Sequence, residues 1–195
     1  MTTEPFVPTF LTELPLAREA LLYAHELHAG QRRSSDEAPF ILHPLEVAAL
    51  LHTSGYGEPA VTAGILHDTV ENTGIEVETI VERFGPQVGA LVAAMTEDAE
   101  IEAYQARKAA LRRQIAEFGD GAVAVYGADK VAKVRELRAQ AGRDPELLDR
   151  DEIRLKLEHY LESLAMLEEG SPRHPLVEKL RFELEALQAL PPGTG

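Results

Sequence analysis

The amino-acid sequence predicts an all-α protein, a bundle of roughly eight or nine helices. Segments with apolar residues at helical spacing follow one another along most of the chain, and prolines and glycines separate them. No alternating stretches are joined by an Asn-Gly or Asp-Gly turn, so β-hairpins are not expected. The chain has 195 residues, 45% of them hydrophobic, which is enough for one domain with its own core. We expect that domain to span residues 1–195, with a core at about 16–190 and flexible ends at 1–14 and 191–195.

Five helices are predicted in the first half of the chain. Pro15, Pro44 and Pro59 stand where a helix begins, a position that tolerates proline because its missing N–H needs no partner there. Gly74 ends the third helix, and Gly85 separates the fourth from the fifth. In order, the segments read PLAREALLYAHELHAG, HPLEVAALLHTSG, EPAVTAGILHDTVENTG, EVETIVERFG and PQVGALVAAMT.

Four longer helices are predicted in the second half. In order, they are IEAYQARKAALRRQIAEFG, AVAVYGADKVAKVRELRAQ, PELLDRDEIRLKLEHYLESLAMLEEG and HPLVEKLRFELEALQAL. The β-branched start AVAVY leaves a strand open at that point. The one long polar loop is Gly30–Phe40, and its composition is typical of functional loops and of ordinary exposed loops alike.

The composition argues against several kinds of binding partner and site. The formal net charge is −14, so most of the surface would repel nucleic acid. Cysteine is absent, which excludes disulfides, zinc–thiolate sites and a cysteine nucleophile. The N-terminus lacks the features of a secretory signal, and no apolar run approaches the roughly 20 residues that span a bilayer. We therefore expect a cytoplasmic protein without nucleic-acid or membrane partners, and we leave a homo-oligomer open.

Basic side chains are nevertheless clustered. Eight of the 19 Lys and Arg residues lie between Arg107 and Arg138, and Arg32 and Arg33 form a second small group. Such clusters can bind a small phosphorylated ligand, or they can be solvated helix faces paired with glutamates. The sequence leaves both interpretations open.

The dipeptide His67-Asp68, at the end of an apolar helical run, indicates metal chemistry. Neighbouring side chains on a helix point about 100° apart, so these two can converge only on something that lies between them. Imidazole and carboxylate together suit a first-row divalent cation such as Mn, Fe or Zn. Glu71 lies one turn further along the same face, where a carboxylate could act on a bound water.

His43 and Asp129 are the other candidate ligands. His43 precedes a proline at the start of a helix, and Asp129 lies among small and apolar residues, where an unpaired acid would be costly. With His67 and Asp68 they form a two-His, two-Asp set drawn from three helices. Taken singly, His43 can be a helix-entry residue, and Asp129 can pair with a neighbouring lysine.

The order of these residues resembles that of the HD-domain metal-dependent phosphohydrolases. The flanking segments resemble, in the same order, the hydrolase domain of the RelA/SpoT proteins, and most closely the stand-alone small alarmone hydrolases. The segments are AHELHAGQRR, PFILHPLEVAALL, VTAGILHDTVENTGI, ERFGPQVGALVAAMTED, RKAALRRQI and GADKVAKVREL. The resemblance covers roughly Leu16 to Leu190 and implies a single HD-domain helical bundle.

The resemblance implies a Mn²⁺ ion held by His43, His67, Asp68 and Asp129. It implies hydrolysis of the 3′-pyrophosphate of ppGpp or pppGpp, which yields pyrophosphate and GDP or GTP. The metal would lower the pKa of a bound water and polarise a phosphoryl oxygen. Glu71 would position and deprotonate that water.

The resemblance also implies substrate contacts. Arg33 aligns with a family arginine that stacks on the base, a role that suits a planar guanidinium. Tyr160 matches a tyrosine near the nucleotide in stand-alone relatives. The candidates for phosphate contacts are Arg107, Lys108, Lys130 and Lys133.

Two positions depart from the family pattern. The family motif reads His-Asp-x-x-Glu-Asp, whereas Asn72 stands here at the last position. We predict Glu71 and Asn72 as the catalytic residues. An amide can hydrogen-bond a water or a phosphate but cannot take a proton. Lys133 stands where the family usually has an asparagine near the ribose.

These changes leave three interpretations of function. The chain could be an active (p)ppGpp hydrolase, an HD phosphohydrolase of a related nucleotide such as ppApp or NADPH, or a low-activity nucleotide-binding module. All four inferred metal ligands are intact, which favours an active metal enzyme.

Overall fold

The structure, a computed structural model, describes residues 6–190. These residues form ten α-helices, two 3-10 turns (Thr9–Leu11 and Pro145–Asp149) and no β-strand, so the predicted all-α class is confirmed. The helices are α1 (Pro15–Leu27), α2 (Leu42–Thr53), α3 (Glu58–Leu66), α4 (Thr69–Thr73), α5 (Val77–Phe84), α6 (Pro86–Met95), α7 (Tyr104–Phe118), α8 (Asp120–Ala141), α9 (Asp151–Gly170) and α10 (Pro175–Gln188).

Helix α8 runs through the centre of the bundle. It packs against α2, α3, α6, α7, α9 and α10, and its buried positions lie all round the helix rather than along one stripe. The AVAVY segment belongs to this helix, so the strand that the sequence left open does not form. Neighbouring helices bury most of the segment, and the hydroxyl of Tyr126 is 2.8 Å from that of Ser163 on α9. Central burial therefore outweighs the β-propensity of the segment.

The helix predicted through His67 and Asp68 is interrupted there. Helix α3 ends at Leu66 and α4 begins at Thr69, so the prediction of one continuous helix is wrong. The Thr69 hydroxyl donates to the Leu66 carbonyl at 2.6 Å, and Asp68 adopts φ −95° and ψ −2°, in the bridge region of backbone space. The break lets both side chains approach the same point.

Glycine at position 64 lets α3 lie close to α2. A Cβ atom there would stand 2.5 Å from Leu51 Cδ1 and 3.3 Å from Val47 Cγ1, so a larger residue would force these α2 side chains, or the helices themselves, to shift. Helix α2 carries His43, and His67 follows the last residue of α3. This close approach places their ring centroids 5.3 Å apart.

The ends of the bundle differ in detail from the predictions. Leu11 is fully buried in the core, so ordered structure begins before the expected residue 16. The expected flexible tail 191–195 and residues 1–5 lie outside the described residues. The helix predicted from Pro145 begins instead at Asp151, after a 3-10 turn. Within residues 6–190, none of the helices has the length and apolar character needed to cross a membrane.

Candidate metal centre and cationic cavity

The four side chains that the sequence predicts as metal ligands meet in the interior. His43, His67 and Asp129 are buried, and one donor atom from each lies within 4.8 Å of the others. Oδ1 of Asp129 is 3.1 Å from Nε2 of His43 and 3.4 Å from Nε2 of His67. Asp68 joins them, with Oδ1 at 3.2 Å from Nε2 of His67 and Oδ2 at 3.5 Å from Nε2 of His43. We call these four residues the HD cluster.

The chemistry of the donor set fits a divalent cation. Nδ1 of His67 is 2.8 Å from the Gly64 carbonyl, which can only accept, so the proton of the neutral ring lies on Nδ1. In that neutral form the lone pair lies on Nε2, where a cation could bind it. Nε2 is buried and makes no hydrogen bond within the described part of the chain. Two imidazoles and two carboxylates suit Mn, Fe or Zn.

The ionisation of the HD cluster is strongly coupled. Burial alone would lower the pKa of His67, but the carboxylates of Asp68 and Asp129 raise it to about 10. Burial would raise the pKa of Asp129, but neighbouring lysines and imidazoles hold it well below its usual value. A cation binding here would meet ionised carboxylates and would have to displace the imidazole proton.

Two lysines on α8 share the carboxylate of Asp129. Lys130 Nζ donates to Oδ2 at 2.7 Å, and Lys133 Nζ lies 3.0 Å from Oδ1. Burial would lower the pKa of both lysines, but Asp129 outweighs it and raises each one. Lys133 therefore approaches the same oxygen atom that lies within 3.4 Å of both imidazoles.

The predicted catalytic residues Glu71 and Asn72 lie on the short helix α4, next to the cluster in sequence. Oε1 of Glu71 accepts the backbone N–H of Glu97 at 2.6 Å. Desolvation raises the pKa of Glu71, and this N–H only partly offsets the rise. The backbone carbonyl of Asn72 accepts from Nε2 of Gln31 at 3.1 Å. A carboxyl group with a raised pKa is suited to accept a proton near neutral pH.

A cavity of about 410 Å³ adjoins the HD cluster and shares His43 with it. Six of its lining side chains are cationic and one is acidic, although the whole chain has a net charge of −14. The cations are Arg32, Arg33, Lys108, Lys130, Lys133 and Lys156. Phe40, Tyr104 and Tyr160 add aromatic surface. A cavity of this charge suits a phosphorylated ligand, and its aromatic faces suit a planar base.

The polar loop predicted at Gly30–Phe40 folds back on itself at the cavity mouth. The Arg33 N–H donates to the Ala38 carbonyl at 2.9 Å, and the Phe40 N–H donates to the Gln31 carbonyl at 3.0 Å. The Arg33 guanidinium is held by the carboxylate of Asp36. The loop thus presents Arg33 and Phe40 from a fixed backbone.

Five of the six predicted substrate-binding residues line the cavity: Arg33, Lys108, Lys130, Lys133 and Tyr160. Arg107 lies outside it. Its Nε donates to Glu97 at 2.7 Å, and its Nη1 donates to the carbonyls of Ile101 and Glu102 at 2.9 and 3.1 Å. Arg107 therefore holds the loop that precedes α7.

Other basic residues from the predicted clusters also have structural partners. Arg135 and Arg138 both pair with the buried carboxylate of Glu183, at 2.7 and 2.8 Å, and so attach α10 to α8. The two interpretations that the sequence left open thus apply to different members of the same cluster.

Sequence reasoning missed several cavity residues, among them Phe40, Tyr104, Lys156 and His159. Phe40 ends the polar loop, and that position was the available signal. Lys156 and His159 come from α9, whose pattern is that of an ordinary packed helix. Only the packing of α9 beside α7 and α8 brings them to the cavity.

Comparison with known proteins identifies the domain family and the fold. The sequence profile of the HD domain matches residues 20–154. A solved structure described as a metazoan ortholog of SpoT that hydrolyses ppGpp superposes with a TM-score of 0.74 at 25% identity. That match covers 95% of this chain and 100% of that one. The structure of lmo0812 from Listeria monocytogenes matches with a TM-score of 0.64 at 27% identity, over 74% of this chain and 97% of that one.

Curated relatives are similar over a shorter stretch. A Synechocystis protein named "Probable guanosine-3′,5′-bis(diphosphate) 3′-pyrophosphohydrolase" is 47% identical over 77 residues, which is 40% of this chain and 10% of that protein. A GTP pyrophosphokinase of Myxococcus xanthus is 39% identical over 84 residues, or 43% of this chain and 11% of that protein. The match thus spans about a tenth of the length of these relatives. From its profile match and its fold, the chain belongs to the HD domain family.

Proposed function

We propose that this chain is a metal-dependent hydrolase that removes the 3′-pyrophosphate of (p)ppGpp and releases pyrophosphate with GDP or GTP. The observation that carries the proposal is the HD cluster at the edge of a cavity with six cationic side chains, within a chain of net charge −14. A highly charged anion would be drawn to this cavity and repelled elsewhere.

The relatives support a hydrolase. The SpoT ortholog, which is described as hydrolysing ppGpp, matches this chain over its full length. Curated relatives are named for hydrolysis or for pyrophosphate transfer. Between these two reactions, a set of buried imidazoles and carboxylates beside a potential general base is the arrangement that activates water.

We propose that His43, His67, Asp68 and Asp129 hold the metal ion and that the ion is Mn²⁺. When bound, it would supply Lewis acidity to a phosphoryl oxygen and to water. Glu71, with its raised pKa, would take the proton of the attacking water.

The cavity residues would orient the nucleotide. Lys108, Lys130 and Lys133 would contact the phosphate groups, and Arg33 and Tyr160 would contact the base or the ribose. Arg107 would act indirectly, by holding Glu97 and the loop before α7. Because the substrate is a soluble nucleotide, we propose a cytoplasmic location.

A second candidate is hydrolysis of a related nucleotide such as ppApp or NADPH. Lys133 favours it, because its ammonium lies 3.0 Å from Asp129 and would add a phosphate contact where the family usually has an amide. Asn72 favours slower turnover of (p)ppGpp, because it cannot act as a second base.

The test is turnover by the purified chain with Mn²⁺, for ppGpp, pppGpp, ppApp and NADPH in parallel. We expect pyrophosphate and GDP from ppGpp. Orthophosphate release from NADPH, or faster turnover of ppApp, would favour the second candidate. No turnover of any of the four would contradict both.

A further inference from the structure

His159 is a buried histidine that the proposed mechanism does not use. It lies on α9, lines the cavity and is 1% exposed. Nη1 of Arg112, on α7, lies 2.8 Å from Nδ1 of His159. Its Nε2 is buried and has no hydrogen-bond partner among residues 6–190.

The contact with Arg112 fixes the tautomer of the ring. A guanidinium has only donors, so Nδ1 of His159 must accept and the proton must lie on Nε2. The other terminal nitrogen of Arg112 is 2.6 Å from Glu162, which restrains the guanidinium. Burial lowers the pKa of His159, and the charges of Lys130, Lys108 and Arg112 lower it further, to about 2. The ring is therefore neutral, with one N–H group that lacks an acceptor.

We propose that Nε2–H of His159 donates a hydrogen bond to a phosphate oxygen of the ligand in the cavity, and that Arg112 is the positioning residue that fixes this tautomer. The inference rests on the proposed function and deepens it. A buried donor without an acceptor is costly, so a ligand oxygen is the missing partner that best accounts for it.

A phosphate oxygen is the expected acceptor because of the neighbours of His159. Lys108 and Lys130 line the same cavity and will attract the phosphate groups of the ligand. A neutral N–H donor can orient a phosphate oxygen without adding a positive charge that would repel the nearby lysines. His159 would thus select a phosphate position that charge alone does not specify.

Three variants separate binding from folding. His159→Asn keeps an acceptor near Nδ1 for Arg112 but has no atom at Nε2, whereas His159→Gln restores an amide N–H near Nε2. His52→Asn is the control, because His52 is an exposed histidine on α2 that stacks on Phe10. Urea unfolding of each variant checks that it is folded.

The probe is inorganic pyrophosphate, titrated by calorimetry in the presence of Mg²⁺. We expect His159→Asn to bind it about 10- to 100-fold more weakly, the loss of one hydrogen bond to a charged acceptor. His159→Gln should regain part of the affinity, and His52→Asn should match the parent. Parent affinity in a folded His159→Asn variant would overturn the proposal.

A spectroscopic measurement tests the role of Arg112. In protein with ¹⁵N-labelled histidine, assigned with His159→Asn, we expect His159 to carry its proton on Nε2 and pyrophosphate to shift that signal. Arg112→Met should mix the tautomers and weaken pyrophosphate binding. A purely structural histidine would give a signal that pyrophosphate leaves unchanged, and that result would contradict the inference.

These readouts need no turnover, so the two proposals fail separately. Hydrolysis of ppGpp together with an unmoved His159 signal would remove this inference alone. A shifted His159 signal without turnover of any nucleotide would remove the proposed function but leave a phosphate contact in place.

Discussion

At the scale of single residues, the site depends on which groups contact one oxygen atom. Oδ1 of Asp129 has Nε2 of His43 at 3.1 Å, Nε2 of His67 at 3.4 Å and Nζ of Lys133 at 3.0 Å. A cation held by the imidazoles would need this oxygen, and the ammonium of Lys133 already contacts it. Sequence reasoning could identify Asp129 from its apolar surroundings, but not this competition, because it depends on side-chain positions.

Replacing Asp129 with alanine should abolish metal binding and activity together. Within residues 6–190, its carboxylate contacts both imidazoles and two lysines, so its loss leaves buried groups unpaired. We expect Mn²⁺ affinity to fall by at least about 100-fold in calorimetry. Asp120→Asn, an exposed acid at the start of the same helix, is the matched control. Full activity of Asp129→Ala with metal still bound would exclude the proposed ligand set.

Replacing Lys133 with asparagine should strengthen metal binding and weaken substrate binding. It removes a positive charge 3.0 Å from a candidate ligand oxygen, so Mn²⁺ should bind about tenfold more tightly. Lys156→Gln is the control. It also removes one positive charge from the cavity wall, but not beside Asp129, so Mn²⁺ affinity should stay nearly unchanged. Equal Mn²⁺ affinities for parent and Lys133→Asn would rule out the competition.

Replacing Asn72 with aspartate should raise the rate on ppGpp. It restores a second carboxylate beside Glu71, and one acid–base partner contributes on the order of 10²-fold or more. Initial rates at saturating Mn²⁺ provide the measurement, and Asn72→Ser is a control that changes size without adding a base. A rate equal to or below that of the parent would indicate that Asn72 suits a different substrate.

At the scale of elements, the cluster depends on a broken helix and a close helix pair. Apolar periodicity predicted nearly every helix, because burial of one face leaves a repeating pattern. It could not predict the break between α3 and α4, where Asp68 adopts φ −95° and ψ −2° and the Thr69 hydroxyl donates to the Leu66 carbonyl. Thr69 follows His67 and Asp68 in the sequence, and nothing in that pattern signals a change of backbone conformation there.

A methyl group at position 64 should weaken both the fold and the metal centre. In Gly64→Ala the new Cβ would stand 2.5 Å from Leu51 Cδ1, so the buried Leu51 side chain or the helix pair α2–α3 must shift. Overpacking of this kind lowers the free energy of unfolding by about 1–3 kcal/mol, and the displaced imidazoles should bind Mn²⁺ more weakly. Urea unfolding and Mn²⁺ titration measure the two effects.

The control for this change is Gly170→Ala. A Cβ at Gly170 meets nothing within 4 Å, and the residue is in a helix, so stability should stay equal or rise slightly. Stability loss in both variants would point to a general effect of replacing glycine rather than to the contact between α2 and α3.

At the scale of the whole molecule, opposite charges are separated between surface and cavity. The sequence gives the net charge of −14 and the local clusters of basic residues. It does not show that cations from the loop before α2 and from α7, α8 and α9 converge on one cavity while Arg135 and Arg138 bind Glu183. Sequence spacing predicts contacts between residues one helical turn apart, whereas the cavity is lined by residues more than one hundred positions apart.

The stability of the metal-free protein should fall as pH drops below 6.5, where the raised pKa of His67 adds little opposing slope because the unfolded chain protonates that residue as well. Burial and nearby cations lower the pKa of His159 from 6.5 to about 2, and burial lowers that of His28. Below pH 6.5 the unfolded chain therefore takes up protons that the folded chain does not, so unfolding becomes easier as pH falls. For His159 the slope approaches about 1.4 kcal/mol per pH unit as pH falls below 6.5, and His28 adds to it in the same direction.

Urea unfolding of metal-free protein at several pH values between 7 and 5 measures this slope. His159→Asn should flatten it, because the unfolded chain then binds one proton fewer, and exposed His52→Asn serves as the control. An identical slope in parent and His159→Asn would show that His159 is protonated in the folded state as well.

The HD cluster also ties distant parts of the chain together. His43 and Asp129 are 86 positions apart, so their side chains meet only after the bundle has formed. An ion that binds the folded state and not the unfolded chain shifts the folding equilibrium towards the native state by mass action. In a cell starved of that ion, more molecules would visit open conformations that proteases attack. Supply of the cation would then set how long each copy survives as well as how fast it works.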